Sequence, residues 1–195
     1  MKTQIKKILV CAVVASMATS MFAQEQGKVR GGINVGAAIP DGGVGLVFDL
    51  NLGYKLADNM TVGARYGSAL IAKASPDGTS GSVSGNGNII GTFDYYLNPG
   101  GRSFAPFAGV GAGLYTVASV AAGTGFIGAD AGNKFGGLLT AGFELGRFRV
   151  AAEYNLIPAT EVTMLLGGTE KVQNSYLAVT LGFYIGGGKW GRDKR

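Results

Sequence analysis

The chain has 195 residues, a formal charge of +5 and no histidine, and its one cysteine is Cys11. Without histidine, the commonest general base and the commonest transition-metal ligand are both missing. The positive charge is concentrated at the two ends, in Lys2, Lys6 and Lys7 and in Lys189, Arg192, Lys194 and Arg195. Between them ten basic residues meet eleven acidic ones, so a basic nucleic-acid face is not indicated.

Residues 1–23 read as a secretory signal peptide. Three lysines precede an apolar run from Ile8 to Met17, and Phe22-Ala23 precede a polar start at Gln24, which places cleavage after Ala23. The run is shorter than the ~20 residues that a spanning helix needs. Cys11 lies too deep in the run to be a lipidation site, and Val10 stands where a small residue is usual. The remaining 172 residues, enough for one domain, contain no cysteine, so an exported chain must be stabilised by backbone pairing and packing alone.

From there on, large apolar residues alternate with small or polar ones at period two, the mark of a strand with two different faces. In the first strand Val29, Ile33, Val35 and Ile39 oppose Arg30 and Asn34. The second sets Leu46, Phe48, Leu50, Leu52, Tyr54 and Leu56 against Val47, Asp49, Asn51, Gly53 and Lys55. In the last, Leu177, Val179, Leu181, Phe183 and Ile185 oppose Tyr176, Ala178, Thr180, Gly182 and Tyr184. Eight such segments are expected, at about 28–39, 44–57, 60–74, 87–97, 104–119, 134–145, 148–158 and 173–187. Short turns are expected at 57–59, with Asn59 left-handed, at Asn98-Pro99-Gly100-Gly101, and at Gly146-Arg147 as a type II′ hairpin. Longer connections fall at 75–86, 120–133 and 159–172, with a modest one at 40–43.

Linkers that alternate long and short place all the short turns at one end of an up-and-down sheet. That is how outer-membrane barrels are built. A closed barrel satisfies every backbone group in lipid and leaves no edge. A soluble sandwich would instead need many charges on its outward faces, and these strands carry few. The fold class expected is therefore all-β, an eight-stranded antiparallel up-and-down transmembrane β-barrel over 24–188, followed by a basic tail over 189–195.

With the apolar faces in lipid, the interior set of charges is Arg30, Asp49, Lys55, Arg65, Asp94, Glu144, Arg149 and Glu153, four acids and four bases. Turn register puts Glu144 opposite Arg149, and Asn51 opposite Arg65 with Asp49 one diagonal step away. This set reads as a structural network plugging the lumen, because eight strands leave room for little beyond their own side chains. The alternative is a narrow channel for small or hydrophobic solutes. Catalytic, cofactor and metal sites are not indicated. Glu144 and Glu153 sit beside arginines, and the serine–histidine chemistry of lipid-modifying barrels needs a histidine. The "GVGAG" run from Gly109 to Gly113 lacks the spacing of a nucleotide loop and reads as room made inside the barrel. Asn59-Met60-Thr61 has the form of a glycosylation sequon but carries no weight in a bacterial export setting. Loops such as "ASPDGTSGSVSGNGN" (74–88) suit surface binding but name no ligand.

"FDYYLNPGGRSFAPFAGVGAGLYTV" (93–117), "GGLLTAGFELGRFRVAAEYNL" and "SYLAVTLGFYIGG" resemble the strands and turns of the small OmpA/OmpX/OmpW-type outer-membrane barrels. The likeness spans about 28–187. It implies an eight-stranded barrel of the bacterial outer membrane, inserted by the barrel assembly machinery; with histidine missing, a non-enzymatic protein in contact with lipid and acting as a monomer is expected. Such barrels often end on an aromatic residue, whereas this chain continues through Trp190 and "GRDKR".

Overall fold

In a computed structural model, residues 26–40, 42–74, 81–97, 104–123, 126–164 and 168–187 are described. The expected signal peptide, the Asn98–Gly101 turn and the basic tail lie outside them. The strands are β1 (Val29–Ile39), β2 (Gly43–Ala57), β3 (Met60–Ala74), β4 (Gly81–Tyr96), β5 (Phe104–Gly123), β6 (Phe126–Leu145), β7 (Phe148–Leu156), β8 (Thr160–Met164), β9 (Gly168–Val172) and β10 (Tyr176–Gly186). Eight of them close into one barrel in the order β1-β10-β7-β6-β5-β4-β3-β2, while β8 and β9 pair only with each other. Each barrel strand runs antiparallel to its chain neighbour, and β10 closes the ring on β1 from Arg30↔Gly186 to Ile39↔Leu177. This is the eight-stranded up-and-down barrel expected from the alternation.

Burial follows the alternation with the sense of a soluble protein reversed. Leu46 is 72 % exposed, Phe135 69 % and Phe148 62 %, whereas Arg30, Asp49, Arg65 and Glu144 are each 3 % exposed or less. Side chains of this kind face outward only where the surroundings are themselves apolar. The belt has a definable height. Along β5 the outward residues run from Phe104 to Leu114 before Thr116, and along β6 from Leu145 to Phe135 before Asn133. Thr116 and Asn133 then join through their side chains at 2.8 Å. About ten residues rising ~3.3 Å each, tilted by ~40°, cover about 25 Å, the height of a lipid-facing band.

Three connections are shorter than the composition indicates. β4 begins at Gly81, inside the loop expected at 75–86. The loop expected at 120–133 is an extension of the β5–β6 hairpin, paired residue by residue to Gly123↔Phe126. The 159–172 connection contains the β8–β9 hairpin. Beyond the apolar slab a strand needs only its backbone partners, so the extensions are written in Gly, Ala and Ser without the two-faced pattern that reveals a strand inside the slab.

The turns set the register. Gly146 has φ of 61° and no described residue other than glycine has a positive φ, which fits the II′ turn and excludes a left-handed Asn59. Leu145 faces Phe148, and Glu144 faces Arg149. At the other short turn Asn51 faces Arg65 and Lys55 faces Thr61, but Ala57 pairs with Met60. A bulge between Lys55 and Ala57 absorbs the extra residue, so the loop itself has two residues and needs no left-handed position.

Glycines facing inward let the wall and its contents approach. A Cβ at Gly113 would meet the Ile90 Cα at 2.7 Å, and one at Gly111 would meet Ile90 Cγ2 at 2.8 Å. At Gly87, on the outer face, a Cβ would meet nothing within 4 Å. We expect Gly113→Ala to destabilise the barrel by about 1–3 kcal/mol, since the clash is with backbone. Gly87→Ala should be neutral or slightly stabilising. Urea unfolding of the two variants in the same detergent checks the contrast.

Candidate functional site

The interior is stacked in three layers. Nearest the short turns, β1 contributes Arg30, β2 Lys55, β4 Asp94 and Tyr96, β5 Phe107, β6 Glu144, β7 Arg149 and β10 Tyr184. The middle layer holds Asp49 from β2, Arg65 from β3, Glu153 from β7 and Thr180 from β10. Toward the long connections Ile71, Ile90, Tyr115, Val117, Leu138 and Tyr176 belong to one buried cluster, with Asn86 and Asn155 buried at the same level and the Tyr115 hydroxyl donating to Asn155 Oδ1 at 3.0 Å.

In the first layer Arg30 Nη2 donates to Glu144 Oε1 at 2.8 Å, and Arg30 Nη1 donates to the Tyr96 hydroxyl at 2.7 Å. That hydroxyl donates in turn to Glu144 Oε1 at 2.9 Å. Arg149 Nη1 donates to Asp94 Oδ2 at 2.8 Å and reaches Glu144 Oε1 at 3.4 Å. The guanidinium of Arg149 lies 3.7 Å from the Phe107 ring centroid, and that of Arg30 4.2 Å from the Tyr184 ring. Lys55 Nζ donates to the Asp58 carbonyl at 3.1 Å and lies 4.3 Å from the centre of the Tyr96 ring. Rings that accept cations on their faces add attraction where water is excluded.

In the second layer Arg65 grips Glu153 with two parallel bonds, Nη1 to Oε2 at 2.6 Å and Nη2 to Oε1 at 3.0 Å. Arg65 Nε donates to Asn51 Oδ1 at 3.0 Å, and Thr180 Oγ1 donates to Glu153 Oε1 at 3.2 Å. Asp49 Oδ2 is 3.8 Å from Arg65 Nη1. The Arg65–Glu153 pair joins β3 to β7, which stand four places apart in a ring of eight and so face each other across the lumen. A planar fork with five donors suits such a span better than an ammonium does.

All eight charged residues named from the sequence therefore point into the lumen, but their strongest partners differ from those that turn register supplies. Glu144 and Arg149 are opposite as expected and meet at 3.4 Å, yet their shortest contacts are to Arg30 and Asp94. Asp49 and Arg65 are neighbours at 3.8 Å, yet Arg65 is committed to Glu153. Register sees only adjacent strands, whereas arginine reaches across the ring. The aromatic members of the first layer were absent from the charge list. Their signal was the parity of Tyr96 with Asp94 and the place of Tyr184 on the polar face of its strand.

Chemically, the arrangement holds and fills. Glu144 and Glu153 are each engaged by a different arginine, and no group of three His, Cys, Asp or Glu able to hold a metal occurs among the described residues. Loss of Arg65 leaves the carboxylates of Asp49 and Glu153 buried and uncompensated, at about 3–5 kcal/mol, whereas loss of Glu153 leaves Arg65 beside Asp49 at 3.8 Å. We expect Arg65→Ala to destabilise the barrel to that extent, Glu153→Ala to cost less, and the double variant to lose clearly less than their sum. Arg65→Lys should fall between wild type and Arg65→Ala, since it keeps the charge but loses the fork. Additive losses in a urea-unfolding cycle would refute the pairing.

No family model and no curated protein sequence matches the chain. Solved structures do. The chain is similar to Neisserial surface protein A, with a TM-score of 0.54 at 14% identity over 81% of this chain and 95% of that one. It is similar to the outer membrane protein OprG of Pseudomonas aeruginosa, with a TM-score of 0.52 at 13% identity over 84% and 98%. The N-terminal β-barrel domain of Pseudomonas aeruginosa OprF gives a TM-score of 0.50 at 13% identity over 84% and 99%. What these likenesses establish is the fold, that of the small eight-stranded transmembrane barrels.

Proposed function

We propose that this protein is an integral barrel of the bacterial outer membrane, with a role in envelope structure or surface interaction and with neither a conducting lumen nor a catalytic site. The observation that carries this reading is the inversion of the barrel: an exposed apolar belt surrounds a lumen crossed by buried ion pairs. The belt matches the height of the lipid-facing band of outer-membrane barrels, about 25 Å, and the leader-like residues 1–23 fit an export route. The fold-level neighbours include an outer membrane protein by name, which supports the same address.

The lumen supports the non-conducting part. Arg30, Glu144 and Tyr96 bond to one another from three strands, and Arg65 bridges the ring at the next level. The partners in this reading are lipid and, during insertion, the barrel assembly machinery, with the barrel acting as a monomer. Surface interaction would fall to the long-connection end, where β5 and β6 continue past the apolar belt.

Two measurements test the proposal. In membrane fractionation the protein should partition with the outer membrane and migrate differently on gels before and after boiling. Recovery from the periplasm with unchanged mobility would overturn the address. In planar bilayers the purified barrel should show no stable open level, and a reproducible conductance step would sink the closed-lumen reading in favour of a narrow channel.

A further inference from the structure

At the long-connection end the wall of the barrel hands over to two short arms. The ladder between β7 and β10 ends at Asn155↔Tyr176, and Pro158 soon follows, with no N–H to continue it. Side chains take over from the ladder there. The Ile157 N–H donates to Ser175 Oγ at 3.1 Å, and that hydroxyl donates back to the Ile157 carbonyl at 3.1 Å. Asn174 Nδ2 donates to the Pro158 carbonyl at 2.8 Å. Residues 157–159 and 173–175 are thus stapled together as the arms that carry the β8–β9 hairpin.

The arms lean over the lumen. Lys73 Nζ on β3 donates to the Gln173 carbonyl at 3.2 Å, and Lys134 Nζ on β6 donates to the Ala159 carbonyl at 2.7 Å. β3 stands three places from β10 in the ring, at ~4.8 Å a place, so an arm that continued straight up from β10 would lie beyond the reach of a β3 side chain. The two ammonium groups therefore hold the arms from different sides of the mouth. Ile157, at the root of the first arm, is buried in the same cluster as Ile71, Val117 and Tyr176.

We infer that the two arms form a lid over the long-connection end of the lumen, latched by Lys73 and Lys134. The lysines stand on the wall, whereas the arms are tied chiefly to each other, so the arms move as one unit once the ammonium groups let go. Each latch bond joins an ammonium to a neutral carbonyl, so the lid opens locally at far less cost than unfolding the barrel. Lifting it bares Ile71 and Val117 and leaves the ion pairs of the deeper layers in place. The lid is thus distinct from the charged layers on which the closed-lumen reading rests.

The test is cysteine labelling of the full chain refolded in detergent. Cys11 is its one cysteine, so in a Cys11→Ser background Val117→Cys places a single thiol beneath the lid. With both lysines present, a water-soluble maleimide should label that thiol far more slowly than in the urea-unfolded chain. Adding Lys73→Met and Lys134→Met, which keep the length and remove the donors, should speed labelling about tenfold or more, as the loss of two hydrogen bonds from charged donors implies. Thr140→Cys, buried deeper toward the short turns, is the control and should stay equally slow in both backgrounds. Equal Val117→Cys rates with and without the lysines would overturn the inference. So would a matching acceleration at Thr140→Cys, which means a loosened barrel, or labelling at the unfolded rate with both lysines in place. If the double lysine variant does not fold, Lys73→Met alone decides, and an unchanged rate rejects the latch. Labelling reads the lid and bilayer currents read the charged layers, so the lid and the closed-lumen reading fail separately.

Discussion

Everything in this protein follows from the need of each backbone N–H and C=O in an apolar slab to find a partner within the chain. A sheet meets that need only by closing, and β10 meets it by pairing with β1 along ten successive residues. Closure then sets the side-chain chemistry. A strand in a closed ring has one face toward lipid and one toward the lumen, so period two is the only pattern open to it. The outer face must be apolar, which removes hydrophobic burial as the main adhesive between strands. What remains is the ladder itself, the packing of small inner side chains, and whatever polar contacts the lumen can hold together.

An eight-stranded ring makes that last contribution unusually demanding. Its lumen is about as wide as two side chains laid end to end, so groups on opposing strands meet directly. Each ion there is desolvated and must find compensation at close range. The chain does so with arginines, whose forks serve two acceptors at once, and with rings that receive the guanidinium faces, as Phe107 does for Arg149. Glycine supplies the matching space. Gly109, Gly111 and Gly113 sit on the inner face of β5, where a Cβ at Gly111 would strike Ile90 and one at Gly109 would strike Asp94. Large contents and a wall of glycine are two sides of one volume constraint.

That division explains what the sequence made legible. β10 and β2 carry full alternation through the slab, and their faces could be assigned residue by residue. The Gly146-Arg147 turn fixed the Glu144↔Arg149 register because a two-residue loop allows no other. The outer parts of β5 and β6 were hidden, because past the slab no solvent contrast selects side chains, and a ladder of small residues resembles a loop in composition. The identity of the eight lumen charges was also legible, since parity along each strand suffices. Their pairing was not. Arg65 with Glu153 joins residues 88 positions apart on opposite staves, a contact that depends on ring closure and stagger rather than on any local spacing.

The order of the layers has a consequence for passage through the barrel. An ion entering from the short-turn end meets Arg30, Lys55 and Arg149, three cations against two carboxylates, Asp94 and Glu144, so cations are repelled and anions are drawn into a cluster already bonded. An ion entering from the other end meets Ile71, Ile90, Val117, Leu138 and the rings of Tyr115 and Tyr176, with the amides of Asn86 and Asn155 among them. The two layers differ in chemistry, so a substitution that opens the mainly apolar one leaves the salt bridges intact, and one that loosens the salt bridges leaves the apolar packing intact. The same two layers flank the middle one, where Asp49, Arg65, Glu153 and Thr180 meet. Polar groups placed there depend first on one another, as Arg65 and Thr180 do on Glu153.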